Sequence, residues 1–176
     1  MIRSLLFVPA HRPSWFAGAL QGGADGLVLD LEDAVPDQSK PAAREALLAA
    51  SREGMFEGKS ILVRVNALGS DEVVADLAAS VSAGVLAVAT PKVAGAADVV
   101  AFASQLSECE QRAGRPVGST GIMPLLETAS GIYHAYDIAT ASSRVVGVMG
   151  GAPRGADVNR AIGFRWTPGG DETLYI

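Results

Sequence analysis

The chain has 176 residues, 49% of them hydrophobic, with 20 glycines and 9 prolines scattered along it and a formal net charge of −5. That is enough for one domain with a sizeable core, and it fits neither a collagen-like nor a low-complexity chain. The negative balance argues against a nucleic-acid partner held through its phosphates, though local cations could still serve an anionic substrate; no apolar stretch is long enough to span a membrane.

Six short, nearly continuous apolar runs occupy residues 5–9, 26–31, 61–66, 85–90, 121–126 and 145–150. Runs of this kind indicate strands buried on both faces. The first superficially resembles a signal peptide, but its apolar part is only Leu5 to Val8 and Arg12 follows closely, so it reads as a first strand. Gly22-Gly23 precedes the second run and reads as a helix end. Ser39 is placed to cap a helix with Pro41 in its first turn. After Ser70, Val74, Leu77, Ala78 and Val81 recur at helical spacing. Val99, Phe102, Ala103 and Leu106 do the same before Gly114. In that second helix lies the only cysteine, Cys109, flanked by Glu108 and Glu110, which would raise a thiol pKa; a bland role is expected. A single cysteine permits no internal disulfide and suits a reducing cytosol. His134 is read as a mid-helix bystander in Gly131-Ile132-Tyr133-His134-Ala135.

The order is therefore βα repeated six times, a parallel sheet with right-handed crossovers. An open doubly wound sheet and a (β/α)8 barrel, usually about 250 residues long, both accommodate it, and counting units does not choose between them. The last residues, Thr173-Leu174-Tyr175-Ile176, carry no C-terminal cap.

In either architecture functional groups gather at the C-terminal ends of strands. The runs end in His11-Arg12-Pro13, Asp30-Leu31-Glu32-Asp33, Arg64-Val65-Asn66, Pro91-Lys92 and Glu127-Thr128, and the sixth opens towards Asp157. Glu127 follows a fully apolar run, so its carboxylate needs a cation or a metal ion. Two carboxylates one βα unit apart, Glu127 and Asp157, suit Mg²⁺; an ion pair of Glu127 with Arg64 or Lys92 is the structural alternative. Arg64 inside an apolar strand points to bidentate recognition of a carboxylate or thioester oxygen, or to an ion pair with Glu32 or Asp33. Alternation places Asp30 and Glu32 on one side, able to orient Arg64 and Lys92, while Asp33 can cap the following turn. No nucleophile elbow, zinc-ligand cluster, Walker A sequence or glycine-rich dinucleotide turn occurs.

Several of these motifs, in this order, carry a resemblance that spans the whole chain. They are Ser4-Leu5-Leu6-Phe7-Val8-Pro9 with Arg12-Pro13, Gly23-Ala24-Asp25-Gly26, Leu29-Asp30-Leu31-Glu32-Asp33-Ala34-Val35, Val63-Arg64-Val65-Asn66, Pro91-Lys92-Val93 and Leu125-Leu126-Glu127-Thr128-Ala129. The chain resembles the HpcH/HpaI aldolase and citrate lyase β-subunit family. The resemblance implies a (β/α)8 TIM barrel of the phosphoenolpyruvate/pyruvate superfamily type, here a single domain over residues 1–176 with six units. Strands seven and eight and the C-terminal helices, which pack on a neighbouring subunit, would be missing. It further implies Mg²⁺ held by Glu127 and Asp157, substrate contacts from Arg64, Arg12, Lys92 and Glu127, and catalytic or orienting roles for Arg64, Asp30 and Glu32. Two features depart from the family pattern: extra residues in Gly151-Ala152-Pro153-Arg154-Gly155-Ala156-Asp157, and His11 where asparagine is common.

The implied activity is retro-Claisen cleavage of a β-hydroxyacyl-CoA (citryl-, malyl- or citramalyl-CoA) to an acyl-CoA and an oxo acid. It would take place in a cytoplasmic homo-oligomer, a trimer or a multiple of one. Two rivals are a CoA-independent class II pyruvate aldolase, which needs a histidine base that His11 does not clearly supply, and a non-catalytic remnant.

Overall fold

The computed structural model describes residues 2–150 and 157–163. Five parallel strands, β1 (Leu5–Pro9), β2 (Gly26–Asp30), β3 (Ser60–Arg64), β4 (Ala87–Thr90) and β5 (Gly121–Pro124), lie side by side in chain order. They are joined by α1 (Phe16–Gln21), α2 (Lys40–Arg52), α3 (Val73–Ala83) and α4 (Ala96–Arg112). After β5 come α5 (Ala129–Tyr133), α6 (Ala135–Thr140) and α7 (Asp157–Ile162).

Strand order settles the architecture that unit counting left open. A doubly wound sheet reverses direction at a switch point and buries both faces under helices. Here the order never reverses, and the core divides by face. Leu27, Leu29, Val63, Val88 and Ile122 pack with the helical residues Phe16, Leu47, Leu77, Phe102 and Ile138. The opposite face gathers Val28, Leu62, Ala87, Ala89 and Leu125 with Leu5, Met123 and Met149, and no helical residue is among its described members. Helices on one face and sheet side chains on the other is the winding of a β/α barrel.

The sixth apolar run is a correction. Residues 145–150 form no strand, but meet β5 through two isolated parallel bridges, Ile122 with Val145 and Leu125 with Met149. Gly147 lies midway between them, and Val146 and Val148 are 55% and 44% exposed, so the run is only half-buried and pairs less regularly than a strand. At the other flank Leu6 and Phe7 of β1 are each 41% exposed. The extra residues from Gly151 to Ala156 and the final Thr173-Leu174-Tyr175-Ile176 lie outside the described residues.

The helices follow the expected spacing with local differences. α2 begins where expected, but Ser39 makes no side-chain cap; a single 3₁₀ turn, Asp37–Ser39, leads into it. The face of α3 is rotated: Val73, Asp76, Leu77, Ser80 and Val81 are buried, while Val74 is 51% exposed. Burial of Asp76 accounts for this, since Arg44 and Asn66 hold its carboxylate inside. α4 buries Val99, Phe102 and Leu106 and gives way to Gly114 at φ +65°. Burial raises the Cys109 thiol pKa, and Glu108 and Glu110 reinforce the shift against Arg112, consistent with the inert role expected. His134 lies at the break between α5 and α6, not within a helix, and faces Asp137.

The Gly23-Ala24-Asp25-Gly26 motif has a structural explanation at the end of the sheet away from the functional residues. The Asp25 carboxylate accepts the backbone N–H groups of Arg3 and Ser4 and so fixes the start of β1. A Cβ on Gly26 would meet the Ser60 carbonyl oxygen at 2.6 Å and Leu5 Cδ2 at 3.0 Å. Gly26→Ala is therefore expected to destabilise the fold by about 1–3 kcal/mol, as overpacking does. Urea unfolding checks this, and an unchanged midpoint would contradict it.

Candidate active site

Alternation along the strands carries the inner face outward to the mouth. Val28 and Leu62 lie in the inner cluster, so two residues on, Asp30 and Arg64 emerge on that same side. They are also direct register partners across β2 and β3. The Arg64 guanidinium donates to both Asp30 oxygens, from Nε at 2.7 Å and from Nη2 at 2.5 Å. Its Nη1 lies 3.0 Å from Glu32 Oε2, and the Phe7 ring sits 5.4 Å from its Cζ. Burial opposes the charge, but Asp30 outweighs it with help from Glu32 and Asp33, so the pKa of Arg64 is raised and the group stays cationic. Of the two readings of Arg64, the ion pair is therefore present, but its main partner is Asp30.

Asp30 is 1% exposed, and it also accepts the N–H groups of Glu32 and Ala34. It fixes both the guanidinium and the turn after β2. Glu32 is 4% exposed, with Oε1 2.9 Å from Lys92 Nζ. Burial raises its pKa, opposed by the hydrogen bond from Lys92 and the charge of Arg64.

Lys92 links this acidic strand end to the next carboxylates. Its backbone N–H donates to Glu127 Oε1 at 2.8 Å, and its Nζ lies 3.8 Å from Asp157 Oδ2 and 3.7 Å from Asp33 Oδ1. The pKa of Glu127 is raised, first by burial; the Lys92 N–H and Arg64 pull it down, and the nearby Asp157 pushes it up. Asp157 opens α7 and also pairs with Arg160. Glu127, Asp157, Glu32, Asp33, Arg64 and Lys92 thus share one electrostatic neighbourhood at the C-terminal ends of the strands. A polar cleft bounded by Glu32, Asp33, Lys40, Asn66 and Lys92 opens beside them.

Other predicted residues stand apart. Arg12 is exposed, donates to the imidazole of His11 and lies 5.9 Å from the Trp15 ring. His11 Nε2 is the acceptor of that bond, and among the described residues no contact places it against the acids. Among the described residues no group of three or more His, Cys, Asp or Glu side chains has the arrangement of a metal cage. The donor set at the mouth is all oxygen and includes two carboxylates near each other. It suits a hard cation that keeps several waters or substrate oxygens in its coordination shell.

Sequence reasoning missed the support beneath the site. Asn66 receives Lys40 Nζ on its side-chain oxygen at 2.6 Å and donates its amide to the Leu31 carbonyl and to Asp76. Asp76 is fully buried, accepts the Asn66 backbone N–H and pairs with Arg44, which also holds Glu72. This network ties the turn after β2 to the turn after β3.

A family model described as HpcH/HpaI aldolase/citrate lyase matches residues 3–176. The chain belongs to that family. It is 36% identical over 173 residues to the citrate lyase subunit beta of Escherichia coli K12, covering 98% of this chain and 56% of that protein. It is 34% identical over 177 residues to the L-malyl-CoA/beta-methylmalyl-CoA lyase of Rhodobacter capsulatus, covering 98% and 54% respectively. The chain thus spans little more than half the length of these relatives. Among solved structures, the Mycobacterium tuberculosis citrate lyase beta subunit complexed with oxaloacetate and magnesium superposes with a TM-score of 0.71 at 34% identity, over 94% of this chain and 65% of that one. The CitE protein of the same organism, in complex with magnesium, acetoacetate and coenzyme A, gives 0.68 at 35% identity, over 94% and 54%. The parallel α/β sheet and its strand order accord with these matches.

Proposed function

We propose that this chain carries the metal- and substrate-binding strand ends of a Mg²⁺-dependent carbon–carbon lyase that cleaves a β-hydroxyacyl-CoA to an acyl-CoA and an oxo acid. The observation that carries the reading is the joining of Glu127 and Asp157, through Lys92, to an arginine held in place by Asp30. Lyase relatives and the magnesium complexes of CitE support it. Glu127 and Asp157 would hold the metal ion, which when bound supplies Lewis-acid polarisation of the oxo-acid oxygens.

The remaining steps fall to the side chains. In the cleavage direction the substrate hydroxyl gives its proton to a base, the C–C bond breaks, the hydroxyl carbon becomes a carbonyl, the electron pair passes to the thioester enolate, and the enolate carbon takes up a proton from an acid or from water to leave as the acyl-CoA. Arg64 stabilises the developing enolate charge. Asp30 and Glu32 hold the guanidinium so that it need not reorganise as charge forms. Lys92 supplies further positive charge for an anionic substrate, while Arg12 stands apart and donates to His11. A cytoplasmic homo-oligomer completes the proposal; the exposed Tyr133 and Tyr136 offer surface for a second copy.

The test is a metal-dependent cleavage assay on citryl-, malyl- and citramalyl-CoA. Turnover of one ester that stops with a chelator and returns with Mg²⁺ is expected. Binding of Mg²⁺ without turnover of any ester would favour a non-catalytic chain, and condensation of pyruvate with an aldehyde without CoA would favour the aldolase. Arg64→Lys is expected to reduce kcat at least about a hundredfold, the scale for losing one transition-state donor, because a point charge cannot replace a planar fork. Near-normal turnover in that variant would remove Arg64 from the mechanism.

A further inference from the structure

Lys92 is the one non-glycine residue with positive φ among the described residues, at +55°. L-residues avoid this region because Cβ crowds the following carbonyl oxygen, and its persistence here calls for a reason in the surrounding contacts. The contacts supply one. In this conformation the backbone N–H meets Glu127 at 2.8 Å while the side chain reaches three other acids. The ammonium is 2.9 Å from Glu32, 3.7 Å from Asp33 and 3.8 Å from Asp157. One residue therefore touches both carboxylates of the proposed metal site, each with a different atom.

Four acids (Glu32, Asp33, Glu127 and Asp157) face this space. The facing cations are Arg64 and Lys92, with Arg160 on the far side of Asp157. Arg64 is not free to move, because its side chain is 14% exposed and forked onto Asp30. Lys92 is 39% exposed, and its contact with Asp157 is longer than a hydrogen bond. Of the two cations that hold Glu32, Lys92 is the more exposed.

We propose that Lys92 is a positioning residue that acts as the built-in counter-cation of the Glu127–Asp157 pair, and that its ammonium competes with the divalent metal ion for Asp157. This rests on the assignment of Glu127 and Asp157 as metal ligands. A Mg²⁺ ion needs carboxylate oxygens at about 2.0–2.1 Å. A neighbouring ammonium opposes the second positive charge, so binding must loosen the contact with Asp157 while Glu32 retains the lysine. The backbone N–H keeps Glu127 in place throughout. Metal affinity in this site is thus deliberately lowered, and the acids stay compatible with one another before the ion arrives.

The sign of the effect on affinity separates this role from a merely structural one. Lys92→Gly removes the ammonium, keeps the N–H and suits the positive φ; Lys92→Asn is a second neutral variant, since asparagine also tolerates this conformation. Titration calorimetry with MgCl₂ on the 176-residue chain is expected to show binding about tenfold tighter in both neutral variants than in the parent, the scale of removing one nearby charge. Lys92→Arg should restore parental affinity. The rise in unfolding temperature on adding Mg²⁺ should likewise be larger in the neutral variants. Equal or weaker binding in both, with native circular dichroism, would overturn the role of Lys92, as a structural lysine would weaken the site when removed. Absence of Mg²⁺ binding in the parent and all variants would overturn the metal assignment itself.

Discussion

Replacing Glu127 by glutamine is expected to lower Mg²⁺ affinity by at least about a hundredfold and to remove metal-dependent cleavage. The substitution keeps the shape of the side chain and its ability to accept the Lys92 N–H through an amide oxygen, but it removes the charge. Loss of an outer-shell partner of a metal typically costs about 10–100-fold in affinity or activity, and loss of a direct ligand should exceed that. Calorimetry measures the affinity, and circular dichroism distinguishes a lost ligand from a lost fold. If Glu127→Gln bound Mg²⁺ as the parent does, the site would have to be built from other residues at the mouth.

The second large effect concerns stability and lies away from the chemistry. Glu110 on α4 is fully buried, and both its oxygens face the Arg144 guanidinium, at 3.0 and 2.7 Å. The N–H groups of Gly118 and Thr120 and the Ser119 hydroxyl also donate to it. Arg144→Met should destabilise the protein by about 3–5 kcal/mol, because it leaves a buried carboxylate without its counter-ion. The double variant Glu110→Met with Arg144→Met should recover much of that loss. A pH signature accompanies it. Burial works to raise the Glu110 pKa, yet Arg144 and the two backbone donors hold it at about 2, against an ordinary value of 4.5. A folded-state pKa below the unfolded one means the contribution is complete above about 4.5 and is lost as pH falls towards 2. Urea midpoints measured across that window should fall more steeply in the parent than in the double variant; parallel curves would show that Glu110 is not the group responsible.

The strands were legible because each of the first five runs is a nearly continuous apolar stretch, and their C-terminal ends named Asp30, Glu32, Arg64, Lys92 and Glu127 as neighbours. The sixth run is also apolar but meets β5 only through two isolated bridges, and the regularity of a ladder is a property no local pattern contains. Strand order, which decided the barrel winding, depends on pairing and was also out of reach. The polar residues beneath the site were missed for a different reason. Asp76 draws no reading from the sequence, and Glu110 only one as a neighbour of Cys109. Yet Asp76 stands three residues after the buried Val73, and Glu110 four after the buried Leu106, both on the apolar face. Spacing alone would have marked them as buried and in need of partners. Which partners, Arg44 and Arg144 respectively, are separated from them by 32 and 34 residues and come only from the fold.

Because Asp30 and Arg64 are opposite one another in the β2–β3 ladder, their forked pair is also a record of correct pairing. A slip of β3 by one residue would turn Arg64 into the helix-packed layer and bring Val63 or Val65 to the mouth. Misregistered molecules would then carry an unpaired buried guanidinium and no substrate contact at all, rather than a weakened one. A refolded preparation should accordingly behave as a mixture of fully competent and inert molecules: its specific activity would track the fraction correctly zipped, while the substrate KM stayed constant as that fraction changed.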